Sequence, residues 1–260
     1  SVGSLFLAGY IPGALLAVSL MIGSYIISVK RNYPRHDRAG WKVRLETTKD
    51  AIWAMLMPVI LLGGILSGVF TPTEASIVTC VYALVVGVFV YKEIQITDVP
   101  RIVWENIRAC ASIIVLIGLA NVFAYILTAE RIPQMVANSI LSITDNRIVV
   151  ILLINVVLLF VGMFMESLAA ILITFPVLLP VATAVGMEPV HFALMAILNL
   201  MLGLTTPPVG MCVCTGAQIG KISAFKAFKA TIPFLATSLI VLMLVSFIPQ
   251  LTLWIPSILN

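Results

Sequence analysis

The stretch Asn199-Leu200-Met201-Leu202-Gly203-Leu204-Thr205-Thr206-Pro207-Pro208-Val209-Gly210 sets two consecutive prolines inside an uncharged run, 189–220. Pro207 has no N–H to give the carbonyl of Gly203, and Pro208 has none for Leu204. The expectation is two released backbone carbonyls, flanked by a flexible glycine on each side. Unpaired backbone is costly in hydrocarbon, so a break of this kind has to be buried in protein or line a cavity. Carbonyl oxygens and the Thr205 and Thr206 hydroxyls are hard, neutral ligands. The chemistry they suit is the binding of a small dehydrated cation. A packing kink, with the threonine hydroxyls re-pairing the carbonyls, is the competing structural reading.

A second break falls at Gly162-Met163-Phe164-Met165-Glu166-Ser167. Glu166 is the one ionisable residue between Arg147 and Glu188. A carboxylate inside an apolar run is a functional candidate by default, and Glu166-Ser167 equally suits the cap of a second helical arm. Pro176 and Pro180 mark that arm. A hairpin turn and a broken helix are together the ingredients of transporter sites built from discontinuous helices.

Other reactive side chains have structural readings. In Phe70-Thr71-Pro72-Thr73-Glu74-Ala75, Thr71 fits a helix N-cap, Pro72 the first helical position and Glu74 the capping box; ion or proton ligation by Glu74 is the alternative. His191 follows Pro189 at a span boundary and reads as interfacial, as Tyr10 and Trp254 do. Trp41 and Trp53 flank a basic loop. Met163, Met165, Met195 and Met201 read as packing filler. Cys80, Cys110, Cys212 and Cys214 form no CxxC and no cluster with histidine, so neither zinc nor a disulfide framework is indicated.

The elements that position these residues follow from composition. Of 260 residues, 61% are apolar and 10% charged, against about 25% charged in a soluble domain. That excludes a soluble fold and a nucleic-acid binder. Apolar runs of 17–27 residues specify membrane helices rather than barrel strands of ~10 alternating residues. The uncharged or nearly uncharged runs are 5–29, 51–70, 75–91, 109–128, 148–187, 189–220 and 230–256. The chain opens Ser1-Val2-Gly3, and its first positive charge follows the apolar run instead of preceding it, unlike a signal peptide. It is expected to continue something longer.

Lysine and arginine set the orientation. Seven lie in 30–49, three in 92–108 and three in 221–229, leaving Arg131 and Arg147 elsewhere. With the three basic segments on the inner face, 5–29 runs inward, 51–70 outward, 75–91 inward, 109–128 outward and 230–256 outward. Residues 148–220 then begin outside and end inside. Three crossings satisfy that, as does a re-entrant hairpin (148–187) followed by one broken crossing (189–220). Residues 92–108 read as an amphipathic helix along the inner surface or a plain linker helix.

The strings FTPTEA (70–75), ERIPQ (130–134), GMFMES (162–167), the Pro176/Pro180 arm, NLMLGLTTPPVG (199–210) and SFIPQLTLWIP (246–256) resemble the large membrane subunit of TRAP (tripartite ATP-independent periplasmic) transporters. The resemblance covers essentially the whole chain, as the C-terminal half of that subunit. It implies an all-α polytopic fold of the elevator type, with the hairpin-plus-broken-helix solution. Residues 1–108 are then scaffold and arm helices, 109–229 half of a transport domain, and 230–260 a C-terminal transmembrane helix with a periplasmic end. It further implies sodium-coupled uptake of an organic acid, of the sialic acid or C4-dicarboxylate type, across a bacterial inner membrane. The implied partners are the N-terminal half of the same subunit, a small membrane subunit and a periplasmic substrate-binding protein.

The resemblance places the sodium site where the hairpin turn meets the break. The donors are the carbonyls of Gly162, Gly203, Thr206 and Val209, with the Thr205 and Thr206 side chains and Asn199 as second choices. Met165, Glu166, Ser167, Pro207, Pro208 and Gly210 lie at the hairpin tip and near the substrate. A membrane enzyme would need a deep catalytic constellation, and only Glu166 lies deep. A channel would need a repeated filter-like segment, and none is present.

Overall fold

The computed structural model describes residues 2–33, 40–143 and 146–259; Ser1 and, in the basic loop, Arg35 and Arg38 lie outside them. Every regular element among the described residues is helical, and seven helices are long and apolar enough to cross a membrane. The chain divides into two compact units, residues 1–3 with 33–113, and residues 4–32 with 114–260.

The first unit holds α2 (Trp41–Leu66) and α3 (Pro72–Val85). Their connection is written in the sequence. The Thr71 hydroxyl oxygen accepts the Glu74 N–H at 3.3 Å, and the Glu74 carboxylate accepts the Thr71 N–H at 2.8 Å. Pro72 takes the first helical position, where a missing N–H costs nothing. Glu74 is thus committed to the capping box. α3 ends in a wider turn, Val86–Val90.

From Val99 a single 31-residue helix, α4, runs to Ala129. Of the helix expected over 92–108, as a surface or a linker helix, only 99–108 is helical, and it continues without interruption into the apolar run. Residues 92–98 are irregular apart from a short 3-10 turn at Ile96–Asp98, and Ile102, Val103 and Ile107 lie in the first turns of α4. Pro100 sits in the opening turn, where it breaks no hydrogen bond, and no proline interrupts the helix after it.

In the second unit α1 (Val2–Lys30) accompanies α5 (Ile132–Ile143), α6 (Arg147–Phe164), α7 (Ser167–Ala184), α8 (Pro189–Gly203), α9 (Met211–Ile219), α10 (Ala224–Phe247) and α11 (Gln250–Leu259). The core is the seam of α6, α7 and α8. Val150, Ile151, Ile154 and Leu158 of α6 meet Ala170, Leu178 and Val181 of α7 and Phe192, Met195, Ala196 and Leu200 of α8. On α6 and α8 these residues recur at helical spacing, which turns one stripe of each inward. Phe175 and Phe192 stack tilted, centroids 5.2 Å apart.

Gly186 closes α7 at φ 76°, with Met187 N–H bonding the Ala182 carbonyl and Gly186 N–H the Thr183 carbonyl, both at 3.0 Å. This Schellman closure needs a residue at positive φ, which glycine adopts without a Cβ penalty. Pro189 then opens α8.

The run 230–256, expected as one span, is two helices. Pro249 cannot donate to the Val245 carbonyl, and it biases Ile248 out of helical geometry, to φ −116° and ψ 86°. α11 starts afresh at Gln250.

Candidate functional site: the α6 end and the α8–α9 break

α6 and α8 touch through backbone at Gly162 and Gly203, both buried. A Cβ built on Gly203 would stand 2.7 Å from both the Cα and the carbonyl carbon of Gly162. One built on Gly162 would stand 3.0 Å from the Leu200 carbonyl oxygen and 3.2 Å from Gly203 Cα. Close approach of two helices at paired small residues is a membrane-protein packing device. Here it brings together two of the residues expected at the ion site.

Directly after this contact the chain leaves the helix. The break, 204–210, passes through a cis Pro207–Pro208 bond and ends at Gly210, in left-handed conformation at φ 51°. The two carbonyls opposite the prolines are not orphaned. The Gly203 carbonyl accepts the Thr206 N–H at 2.9 Å, and the Leu204 carbonyl accepts the Cys212 N–H at 3.2 Å. This corrects the expectation of released carbonyls: each has one partner and retains a second lone pair.

The threonine hydroxyls re-pair a different carbonyl. Thr205 and Thr206 Oγ1 both donate to Leu202, at 2.8 and 2.7 Å, and the Thr205 N–H adds a third bond at 3.0 Å. The hydroxyl oxygens keep their acceptor lone pairs. Thr205 and Thr206 are half-buried, while Pro207, Pro208 and Val209 are exposed. The Val209 carbonyl accepts the Cys214 thiol at 3.2 Å.

Asn199, one turn before Gly203, is fully buried. Its amide nitrogen donates to the Asn155 backbone carbonyl at 2.9 Å and to Asn155 Oδ1 at 2.8 Å. That fixes the amide's orientation and leaves Asn199 Oδ1 buried without a hydrogen-bond partner. Asn155 in turn donates to the Ile151 carbonyl and to Ser246 Oγ at 2.9 and 3.1 Å. Buried polar atoms are almost always paired; the unpaired Asn199 oxygen, one helical turn from the Gly162–Gly203 contact, has the capacity to accept from a donor or a cation. An oxygen-only donor set matches a hard monovalent cation, and no cluster of His, Cys, Asp or Glu able to hold a transition metal exists among the described residues.

At the hairpin tip Met165 is half-buried and extended, and Glu166 is exposed. Glu166 Oε2 accepts the N–H groups of Leu168 and Ala169, at 3.0 and 3.3 Å, as the N-cap of α7. Ser167 Oγ is buried and unpartnered. Because the carboxylate works as a cap, Glu166→Ser should keep stability near the native level. Glu166→Ala should lower stability by about 1 kcal/mol, read as thermal unfolding in detergent. A serine variant as unstable as the alanine one would make the charge itself the stabilising feature.

His191 departs from its interfacial reading. It is buried, with Nδ1 2.7 Å from Thr252 Oγ1 and Nε2 3.4 Å from the Ser246 carbonyl. The α10–α11 corner at Pro249 covers it, a contact made by residues more than fifty positions away and invisible in local sequence. Ser246 and Cys214 likewise carried no local sign of their part in the site. The one signal for Asn155 was a lone amide in the apolar run 148–164.

The family described as "Tripartite ATP-independent periplasmic transporter, DctM component" matches residues 1–251. The chain is 44% identical over 258 residues to the sialic acid TRAP transporter large permease protein SiaM of Vibrio cholerae, covering 99% of this chain and 60% of that protein. It is 36% identical over 257 residues to the C4-dicarboxylate TRAP transporter large permease protein DctM of Pseudomonas aeruginosa, covering 99% and 60%. It is 37% identical over 255 residues to the isethionate TRAP transporter permease protein DctMQ of Oleidesulfovibrio alaskensis, covering 98% and 40%. The chain thus spans at most about 60% of the length of these relatives.

Proposed function

We propose a function that proceeds from family membership: the chain belongs to the DctM component family of the tripartite ATP-independent periplasmic transporters. In this reading the chain is the C-terminal part of a large permease that takes up an organic acid, driven by sodium. The observation that carries the proposal is the backbone contact of Gly162 with Gly203 beside the α8–α9 break.

Sodium binds to oxygens of the hairpin end and the break: the carbonyls of Gly162, Gly203, Thr206 and Val209, with Thr205, the Thr206 hydroxyl and Asn199 completing the shell. The second lone pairs at Gly203 and the buried Asn199 oxygen support that donor set. By binding both segments, the ion draws the α6 end and the break together. It fixes the adjoining pocket, where Met165, Glu166, Ser167, Pro207, Pro208 and Gly210 lie, and helix N-termini there favour a carboxylate. The hairpin α6–α7 is re-entrant, and residues 148–220 move as part of an elevator.

The substrate is sialic acid before a C4-dicarboxylate, in line with the higher identity to a sialic acid permease. A periplasmic binding protein delivers it. A small membrane subunit and the N-terminal half of the permease complete the complex in a bacterial inner membrane, with the C-terminus outside.

The test is uptake of labelled N-acetylneuraminate and of succinate into proteoliposomes holding the intact complex and its binding protein. An inward sodium gradient should raise N-acetylneuraminate uptake about tenfold or more, within the usual range of coupling energies. Equal rates with and without the gradient would overturn sodium coupling. Preferential uptake of succinate would overturn the substrate assignment.

A further inference from the structure

We propose that the first turns of α2 form an interfacial segment that binds the headgroups of anionic phospholipids. The inference rests on the first unit alone and is independent of the sodium site and the substrate.

The α2 sequence opens Trp41-Lys42-Val43-Arg44-Leu45-Glu46-Thr47-Thr48-Lys49-Asp50-Ala51-Ile52. At about 100° per residue, Trp41, Ile52 and Leu45 fall within about 40° of one another. Lys49 and Lys42 border that stripe on one side, and Arg44 on the other, about 60° from Trp41. Glu46 and Asp50 fall on the far side, about 140° and 180° away. Among the described residues nothing covers the stripe: Trp41 is 78% exposed, Leu45 68% and Ile52 49%. A helix merely emerging into water has no reason to collect a tryptophan, a leucine and an isoleucine on one edge with cations along both rims. A helix lying against headgroups does, because apolar groups enter the acyl boundary while lysine and arginine reach the phosphates.

The other side of α2 is already occupied, so the stripe's direction is fixed. The Tyr91 hydroxyl donates to the Asp50 carbonyl at 2.7 Å and accepts the Ala54 N–H at 3.3 Å. These are the two groups an α-helix pairs with each other. The Tyr82 hydroxyl donates to the Trp53 carbonyl at 2.8 Å. Tyr91 holds the side opposite the stripe, and Tyr82 a flank about 100° from its centre. The Tyr91 hydroxyl competes with the Asp50–Ala54 pairing, and Pro58, inside α2, has no N–H for the Ala54 carbonyl. A helix deprived of that bond bends more readily there, between the charged turns and the apolar ones. The Arg44 guanidinium lies 5.4 Å from the centre of the Trp41 ring, so cation and anchor act as one unit. Lys42, Arg44 and Lys49 make no ion pair among the described residues, which leaves their charge available to phosphate.

The experiment titrates the intact permease, purified in detergent, with phosphatidylglycerol or with phosphatidylcholine of the same acyl chains, and follows thermal stability. Phosphatidylglycerol should stabilise the wild type at lower concentration. The triple variant Lys42→Gln, Arg44→Gln, Lys49→Gln should need about 100-fold more of it, the fold-change that ~1 kcal/mol from each of three cations converts to. Its response to phosphatidylcholine should stay as in the wild type. The double variant Lys42→Arg, Lys49→Arg should keep the preference. In the wild type the preference should collapse in about 1 M salt, where charge attraction is screened within ~3 Å. A triple variant with wild-type response, or a wild-type preference that survives the salt, would overturn the proposal.

Discussion

Gly203→Ala should weaken the sodium dependence of uptake at least about tenfold, while Gly216→Ala leaves it intact. The methyl group at 203 would stand 2.7 Å from backbone atoms of Gly162, and backbone has no rotamer to move away. α6 and α8 must separate or shift register. Alanine favours a helix over glycine by about 1 kcal/mol, and overpacking of this kind costs about 1–3 kcal/mol, so net stability falls modestly. The functional loss is larger, because the displaced helix end carries the oxygens proposed to hold the ion. We expect the sodium concentration for half-maximal uptake to rise at least about tenfold, the equivalent of ~1.4 kcal/mol. Gly162→Ala should be milder, since its Cβ would meet neighbours at 3.0–3.2 Å. Gly216 has open space around it and serves as the control for glycine replacement as such. Native-like sodium dependence in Gly203→Ala would show that the contact does not set the site.

The second large effect is expected at Asn155 and Asn199. Asn155→Leu keeps side-chain size but removes the Oδ1 that accepts from Asn199 at 2.8 Å, and strands one buried N–H. Asn199→Leu strands the Asn155 oxygen, whose remaining donor, Ser246 Oγ, is 3.4 Å away. Each single change should cost about 1–3 kcal/mol through the unpaired group. The double variant should cost less than the sum, by about 1 kcal/mol, because neither partner is left waiting. Thermal unfolding of the four proteins in detergent closes the cycle. Strict additivity would mean that the two amides do not act as a pair.

Features set by neighbours along the chain were the legible ones. The Thr71–Glu74 cap, the helix ends near Met165 and Glu188, and the break after Gly203 all follow from side chains within four residues of the backbone they control. The misread features depend on distant partners or on competition between nearby bonds. His191 looks interfacial because Pro189 precedes it, and only the turn at Pro249 buries it. α10 and α11 merge into one apolar run unless Pro249 is given more weight than hydropathy. The prolines at 207 and 208 correctly mark where helical bonding fails. What the sequence did not disclose is that the Thr206 and Cys212 N–H groups take up the two carbonyls, while both threonine hydroxyls crowd onto Leu202. α5 escaped notice because the charges at both ends of a short segment outweighed its single apolar edge.

The break has one more property. The bonds that shape it, from Leu202, Gly203 and Leu204 to Thr205, Thr206 and Cys212, and from Cys214 back to Val209, all close inside residues 202–214. Its hydrogen bonding is therefore local, whereas its seat is not: Gly203 rests on Gly162 of α6 and Gly210 on Phe228 of α10. The bend travels with the peptide, but the direction in which it points is set by the two helices that hold it.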